Sequence, residues 1–213
     1  NSESKKHNLV DFDDTTDLKD DEVEFERHTR KCMLYEIKMK KKNKSISIYN
    51  NQEDCSLKII NHLHNKKIII IMVLALTQSG KTGTILALLK NYLNSEKNII
   101  SVKNIFIITG LSDCEWKNQT QVRMPSQIKD QILHRNDLTK KRGGKNDAFK
   151  SFVDRIRNTK NVLIVIDEIQ IAAKEKQTLH KIFKEVGLYN KQYLLKNNVK
   201  IIELTATPDG VVY

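Results

Sequence analysis

Three apolar runs predict an α/β fold, a mostly parallel sheet with helices on both faces. Ile68 to Leu74 is unbroken in its apolar character, Val162 to Ile166 is a second such run, and Val199 to Leu204 is a third strand-like stretch. Continuous rather than alternating apolar character marks strands buried on both faces, as in parallel sheets. Segments of helical period lie between these runs, and strand–helix alternation is the pattern of parallel crossovers.

The elements follow in order. Residues 1 to about 21 are polar and acid-rich, Glu22 to Tyr35 has the character of a short helix, and Lys38 to Lys44 reads as a solvated linker or a basic strand edge. Residues 1–45 are therefore set apart as a charged N-terminal appendage or linker, and 46–213 as the folded lobe. Leu57 to Leu63 is helix-like. The strand at Ile68 to Leu74 runs through Ala75-Leu76-Thr77-Gln78-Ser79-Gly80-Lys81-Thr82 into a helix whose stripe is Ile85, Leu88, Leu89, Tyr92 and Leu93. Asn104 to Ile108 is a further strand, and Ser112 with Glu115 forms a capping box that starts the next helix. Helices are expected at Asp147 to Arg157, from its Phe149, Phe152, Val153 and Ile156 spacing, and at Ala173 to Val186, ended by Gly187.

Strand, loop and helix start, in that order and ending Gly80-Lys81-Thr82, form the arrangement that grips a phosphate chain. Backbone N–H groups of Thr77, Gln78, Ser79 and Gly80 would surround the anion at the positive end of a helix dipole. Lys81 would sit on the β/γ-phosphates as a catalytic cation, and the Thr82 hydroxyl would ligate Mg²⁺. The strand Val162 to Ile166 ends in Asp167-Glu168. Ligands of open α/β sheets bind at that strand edge. Asp167 is placed to hold Mg²⁺, and Glu168 to deprotonate the attacking water. A carboxylate pair at a strand end also occurs as a plain solvated or capping feature. Thr205, Ala206 and Thr207 end the last strand before Pro208. The segment, with its two threonine hydroxyls, is a candidate for coupling the phosphate state to a partner domain, with an ordinary strand terminus as the other reading.

In this order the three motifs resemble those of the superfamily-2 helicases and translocases, closest to the DEAD-like and type III restriction subunit branch. A RecA-like P-loop lobe is the fold implied, with ATP and Mg²⁺ as cofactors and DNA or RNA as the partner. Gln78 stands where the branch has glycine, so the loop must strain or differ slightly. Two further segments are placed by the resemblance. Gln52, after Tyr49-Asn50-Asn51, occupies the position of an adenine-reading glutamine, though a lone glutamine is also an ordinary surface residue. Thr109, Gly110 and Leu111 occupy the position of a loop that touches the nucleic-acid backbone, where free N–H groups can meet a phosphate. Trp116 is expected to pack in the core rather than stack on a base. A second RecA-like lobe is implied but lies outside this sequence, so the chain alone is expected to hydrolyse ATP poorly. Alternatives are a viral-type DNA packaging ATPase and a non-catalytic P-loop scaffold.

Composition fits a polyanionic partner without identifying one. Among 213 residues the formal charge is +11, with an isoelectric point near 9.4. Lys140-Lys141-Arg142-Gly143-Gly144-Lys145 is the best basic cluster for nucleic acid, and a plain surface loop explains it equally well. Abundant lysine, asparagine and isoleucine fit an AT-rich coding genome, viral or otherwise. Cys32, Cys55 and Cys114 are too widely spaced for a zinc ribbon or disulfide framework. His62 and His64 lie on different helix faces, so no structural metal is expected. No apolar run is long enough to span a membrane and no secretory signal is seen, giving an intracellular expectation with the compartment unknown.

Overall fold

The computed structural model describes residues 14–74, 80–95, 97–109, 114–138, 147–168 and 178–206. Their element order is α1 (Asp14–Lys42), α2 (Asn50–Leu63), β1 (Ile70–Leu74), α3 (Lys81–Asn94), β2 (Ile105–Thr109), α4 (Cys114–Arg123), β3 (Ile132–His134), α5 (Asp147–Asn158), β4 (Val162–Asp167), α6 (Thr178–Glu185), α7 (Lys191–Asn197) and β5 (Val199–Thr205). Among the described residues the five strands form one sheet of order β1-β5-β4-β2-β3, parallel throughout. The expected α/β architecture is present.

Period-two alternation along each central strand divides the interior into two cores. Ile105, Ile107, Leu163, Val165, Ile202 and Leu204 face one side, where α1, α2 and α3 cover them. Phe106, Ile108, Ile164, Ile166, Val199 and Ile201 face the other, under α5, α6 and α7. A strand with a helix layer on each side has no solvated face, which is why its sequence is nearly continuously apolar. Phe106 and Phe152 meet edge-to-face across the second core, with centroids 5.2 Å apart and an interplanar angle of 87°.

The N-terminal region differs from the sequence expectation. Residues 38–42, read as a linker or strand edge, are the last turns of α1, and the helix is 29 residues long. Met33 and Ile37, one turn apart, are 0% and 2% exposed and belong to the first core. Polar contacts fix the same helix at both ends of its packed face. Arg30 donates to the Ile100 carbonyl at 3.1 Å, and Glu26 accepts from the Val102 N–H at 2.8 Å and the Ser101 hydroxyl at 2.6 Å. Lys40 caps the carbonyls of Val122 and Met124 at 2.8 and 2.7 Å. A lysine run that looks solvated in one dimension is thus used to satisfy the C-terminal carbonyls of α4.

Candidate nucleotide site

The C-terminal ends of β4 and β5 and the N-terminus of α3 converge at one edge of the sheet. Gly80 precedes α3 with φ at 77°, a left-handed conformation that glycine adopts without strain. Lys81 opens the helix, and its ammonium lies between two acids. It is 3.2 Å from Asp167 Oδ1 and ion-paired with Glu168 Oε1.

Neighbouring strand residues point to opposite faces, so two adjacent carboxylates do not ordinarily reach one cation. The break in alternation is visible at Glu168, whose φ is 57° while its N–H still bonds the Leu204 carbonyl at 3.0 Å. Left-handed backbone at a long side chain is uncommon and costs on the order of 1 kcal/mol. That turn lets Glu168 share Lys81 with Asp167.

Electrostatics follow from burial. Asp167 is 4% exposed, and its removal from water pushes its carboxyl above the ordinary range against the pull of Lys81. Burial works against the Lys81 charge in turn, but hydrogen bonds and attraction from Glu168 and Asp167 outweigh it and hold its pKa above the usual lysine value. Asp167 Oδ2 accepts a hydrogen bond of 3.1 Å from the indole N–H of Trp116 on α4. Trp116 was expected to be a core residue. Its ring does pack half-buried against the first core, yet its polar edge serves the acid.

Gln52 lies at the start of α2 and is buried at 3% exposure. Its Oε1 accepts from the Tyr49 N–H at 3.0 Å, and its Nε2 donates to the Gly80 carbonyl at 3.0 Å. A β-carbon at Gly83 would stand 2.7 Å from the Gln52 amide carbon, so a larger residue there would displace the Gln52 amide from its present bonds. Beside this contact lies a cavity of about 300 Å³ lined by Ile46, Tyr49, Gln52, Thr82, Gly83 and Arg123. Its volume falls at the lower end of small-ligand sites, about 300 Å³. A larger cleft of about 1380 Å³ runs between α1 and residues 98–103, away from these residues.

The structure thus brings Gln52, Gly80, Lys81, Thr82, Asp167 and Glu168 to one region. Thr109 is buried at the end of β2, in register with Asp167 on one side and His134 on the other. Thr205 is buried at the end of β5 opposite Leu74, and Ala206 follows it half-buried. Thr77, Gln78, Ser79, Gly110, Leu111 and Thr207 lie outside the described residues, as does the basic cluster at 140–145. Asp167 Oδ1 is buried without a well-aligned hydrogen bond among the described residues, and a carboxylate offers the hard oxygens that suit Mg²⁺. No group of three His, Cys, Asp or Glu side chains able to hold a metal occurs among the described residues, so a cation here would need ligand or water oxygens as well. The Trp116 contact with Asp167 has no signature in the sequence. An indole has one N–H and no acceptor, and only the fold shows which acceptor it meets.

No protein-family model matches this chain, and no curated protein matches its sequence.

Proposed function

We propose that this chain is the nucleotide-binding lobe of an ATP-dependent nucleic-acid helicase or translocase. The observation that carries the reading is the shared Lys81 ammonium. A lysine at the first position of a helix, held by two carboxylates from the end of a neighbouring parallel strand, is poised to exchange those acids for phosphate oxygens. Lys81 would then take the β/γ-phosphates, Thr82 and Asp167 would hold Mg²⁺, and Glu168 would accept the proton of the attacking water. Bound Mg²⁺ supplies charge neutralisation at the phosphates. Gln52, already joined to Gly80, would read the base from the adjoining cavity.

The nucleic-acid part rests on the motif order, the net charge of +11 and the position of Thr109 beside Asp167 in the sheet. Thr109 to Leu111 would meet the backbone, and Thr205 to Thr207 would pass the phosphate state to a second lobe. No helix among the described residues is long and apolar enough to cross a membrane.

ATPase activity of the full-length protein, measured alone and with single-stranded DNA, single-stranded RNA or duplex DNA, tests this. Stimulation by one of them supports the motor and names its track. Nucleotide binding without turnover on any of them favours a P-loop scaffold instead.

A further inference from the structure

Helix α4 carries a second group of reactive side chains. Cys114 opens the helix and is exposed, with its Sγ 3.5 Å from His134 Nε2 at the end of β3. The His134 side chain is almost fully enclosed, and its Nδ1 lies 2.6 Å from Asp137 Oδ2. That same oxygen accepts from the His134 backbone N–H at 2.9 Å and from Lys117 Nζ at 2.7 Å. Burial opposes the Asp137 charge, but Lys117 and the His134 N–H hold the carboxyl below its usual range, so it is an anion.

An anionic carboxylate on Nδ1 is matched by a ring N–H there, so in the neutral imidazole the Nε2 lone pair faces the thiol. Nucleophile, base and orienting acid in that order are the arrangement that activates a weak nucleophile. Cys114 stands in the first turn of α4, and Lys117 lies one turn along the same helix.

The other two thiols provide controls within the chain. Cys32 Sγ lies 3.4 Å from His28 Nε2 on α1, but no hydrogen bond or ion pair among the described residues joins a carboxylate to that ring. No hydrogen bond among the described residues joins Cys55 to a histidine, and burial pushes its thiol up.

We propose that Cys114, His134 and Asp137 form a nucleophilic thiol site, open to covalent modification by soft electrophiles such as hydrogen peroxide and alkyl halides. With an alkyl iodide the thiol proton passes to His134 Nε2, a carbon–sulfur bond forms, and the carbon–iodine bond breaks to release iodide. With hydrogen peroxide the sulfur attacks one oxygen and the oxygen–oxygen bond breaks. The departing hydroxide takes the proton from His134 to become water. Sulfur is oxidised by two electrons to a sulfenic acid as the peroxide is reduced by two. None of these steps uses Lys81, Asp167 or Glu168, so the site stands or falls apart from the nucleotide reading.

The test is alkylation of the full chain by iodoacetamide at pH 7, with each cysteine followed by peptide mass spectrometry. Cys114 should react about tenfold or more faster than Cys32, with Cys55 slowest, as expected for a base-paired thiol at a helix start. His134→Gln should bring Cys114 to the Cys32 rate while leaving the other two unchanged, and Asp137→Asn should slow Cys114 in part. The wild-type comparison decides even if a variant does not fold: a Cys114 rate no greater than that of Cys32 overturns the proposal. An unchanged Cys114 rate in a folded His134→Gln chain does the same.

Discussion

Lys81 is held by two acids, and each acid has a different second tie. Asp167 is buried and bonded by Trp116, whereas Glu168 is reached through a left-handed backbone turn. Their roles should therefore separate on substitution. Glu168→Gln keeps the shape and removes the base, so ATP turnover in the full-length protein should fall by about a hundredfold or more while ATP binding persists. Steady-state ATPase rates beside equilibrium nucleotide binding check this, and unchanged turnover removes Glu168 from the role of base. Trp116→Phe keeps an aromatic ring and removes the indole donor from Asp167 Oδ2, an oxygen whose lost bond costs on the order of 1–3 kcal/mol. The Mg²⁺ concentration needed for half-maximal ATPase should rise several-fold in this variant. Trp116 is the single tryptophan of the chain, so its emission should also respond to Mg²⁺ and ATP in the wild type. At this scale the positions of the acids and the lysine were legible, because each follows an apolar run that fixes its place, whereas Gln52 was placed only by the resemblance. The Trp116 contact was not legible, since it joins residues 51 positions apart.

At the scale of an element, β5 holds an acid in the wrong solvent. Glu203 is 0% exposed, neither of its oxygens has a hydrogen-bond partner among the described residues, and its register neighbours are Met72 and Ile166. Burial pushes its carboxyl up to about 7. A folded pKa above the unfolded value means that the native state binds the extra proton. Stability is then greatest below about pH 4.5 as far as this group is concerned, falls as pH rises, and levels off above about 7. The full difference is on the order of 3 kcal/mol. Urea denaturation of wild type and Glu203→Leu at pH 5 and pH 8 checks it: the variant should gain most at pH 8, and equal gains at both pH values would contradict the assignment. The sequence reading treated this stretch as an apolar strand and did not weigh the acid within it. Strand identity is set by local pattern, but which face Glu203 enters depends on the helices packed there.

Over the whole molecule, the parallel sheet was legible from run length and motif order, whereas the extent of the N-terminal helix was not. α1 is charged along much of its length, and among its described side chains Met33 and Ile37 are the ones fully buried in the first core, with Leu34 packed partly buried beside them. Two buried apolar residues in a long, highly charged helix give a weak periodic signal, yet full burial makes each count. Met33→Ala should lower unfolding stability by roughly 2–5 kcal/mol, the range for a buried methionine-sized cavity. A chemical denaturation midpoint unchanged from wild type would show that α1 is detachable from the core. The turn at Glu168 has a different bearing on the molecule. With φ at 57°, this is a position that a sequence chosen only to fold would give to glycine or asparagine. Glu168→Gly relieves the backbone and discards the carboxylate in one step, so a library screened for thermal stability alone would drift away from glutamate here, and one screened for turnover would restore it.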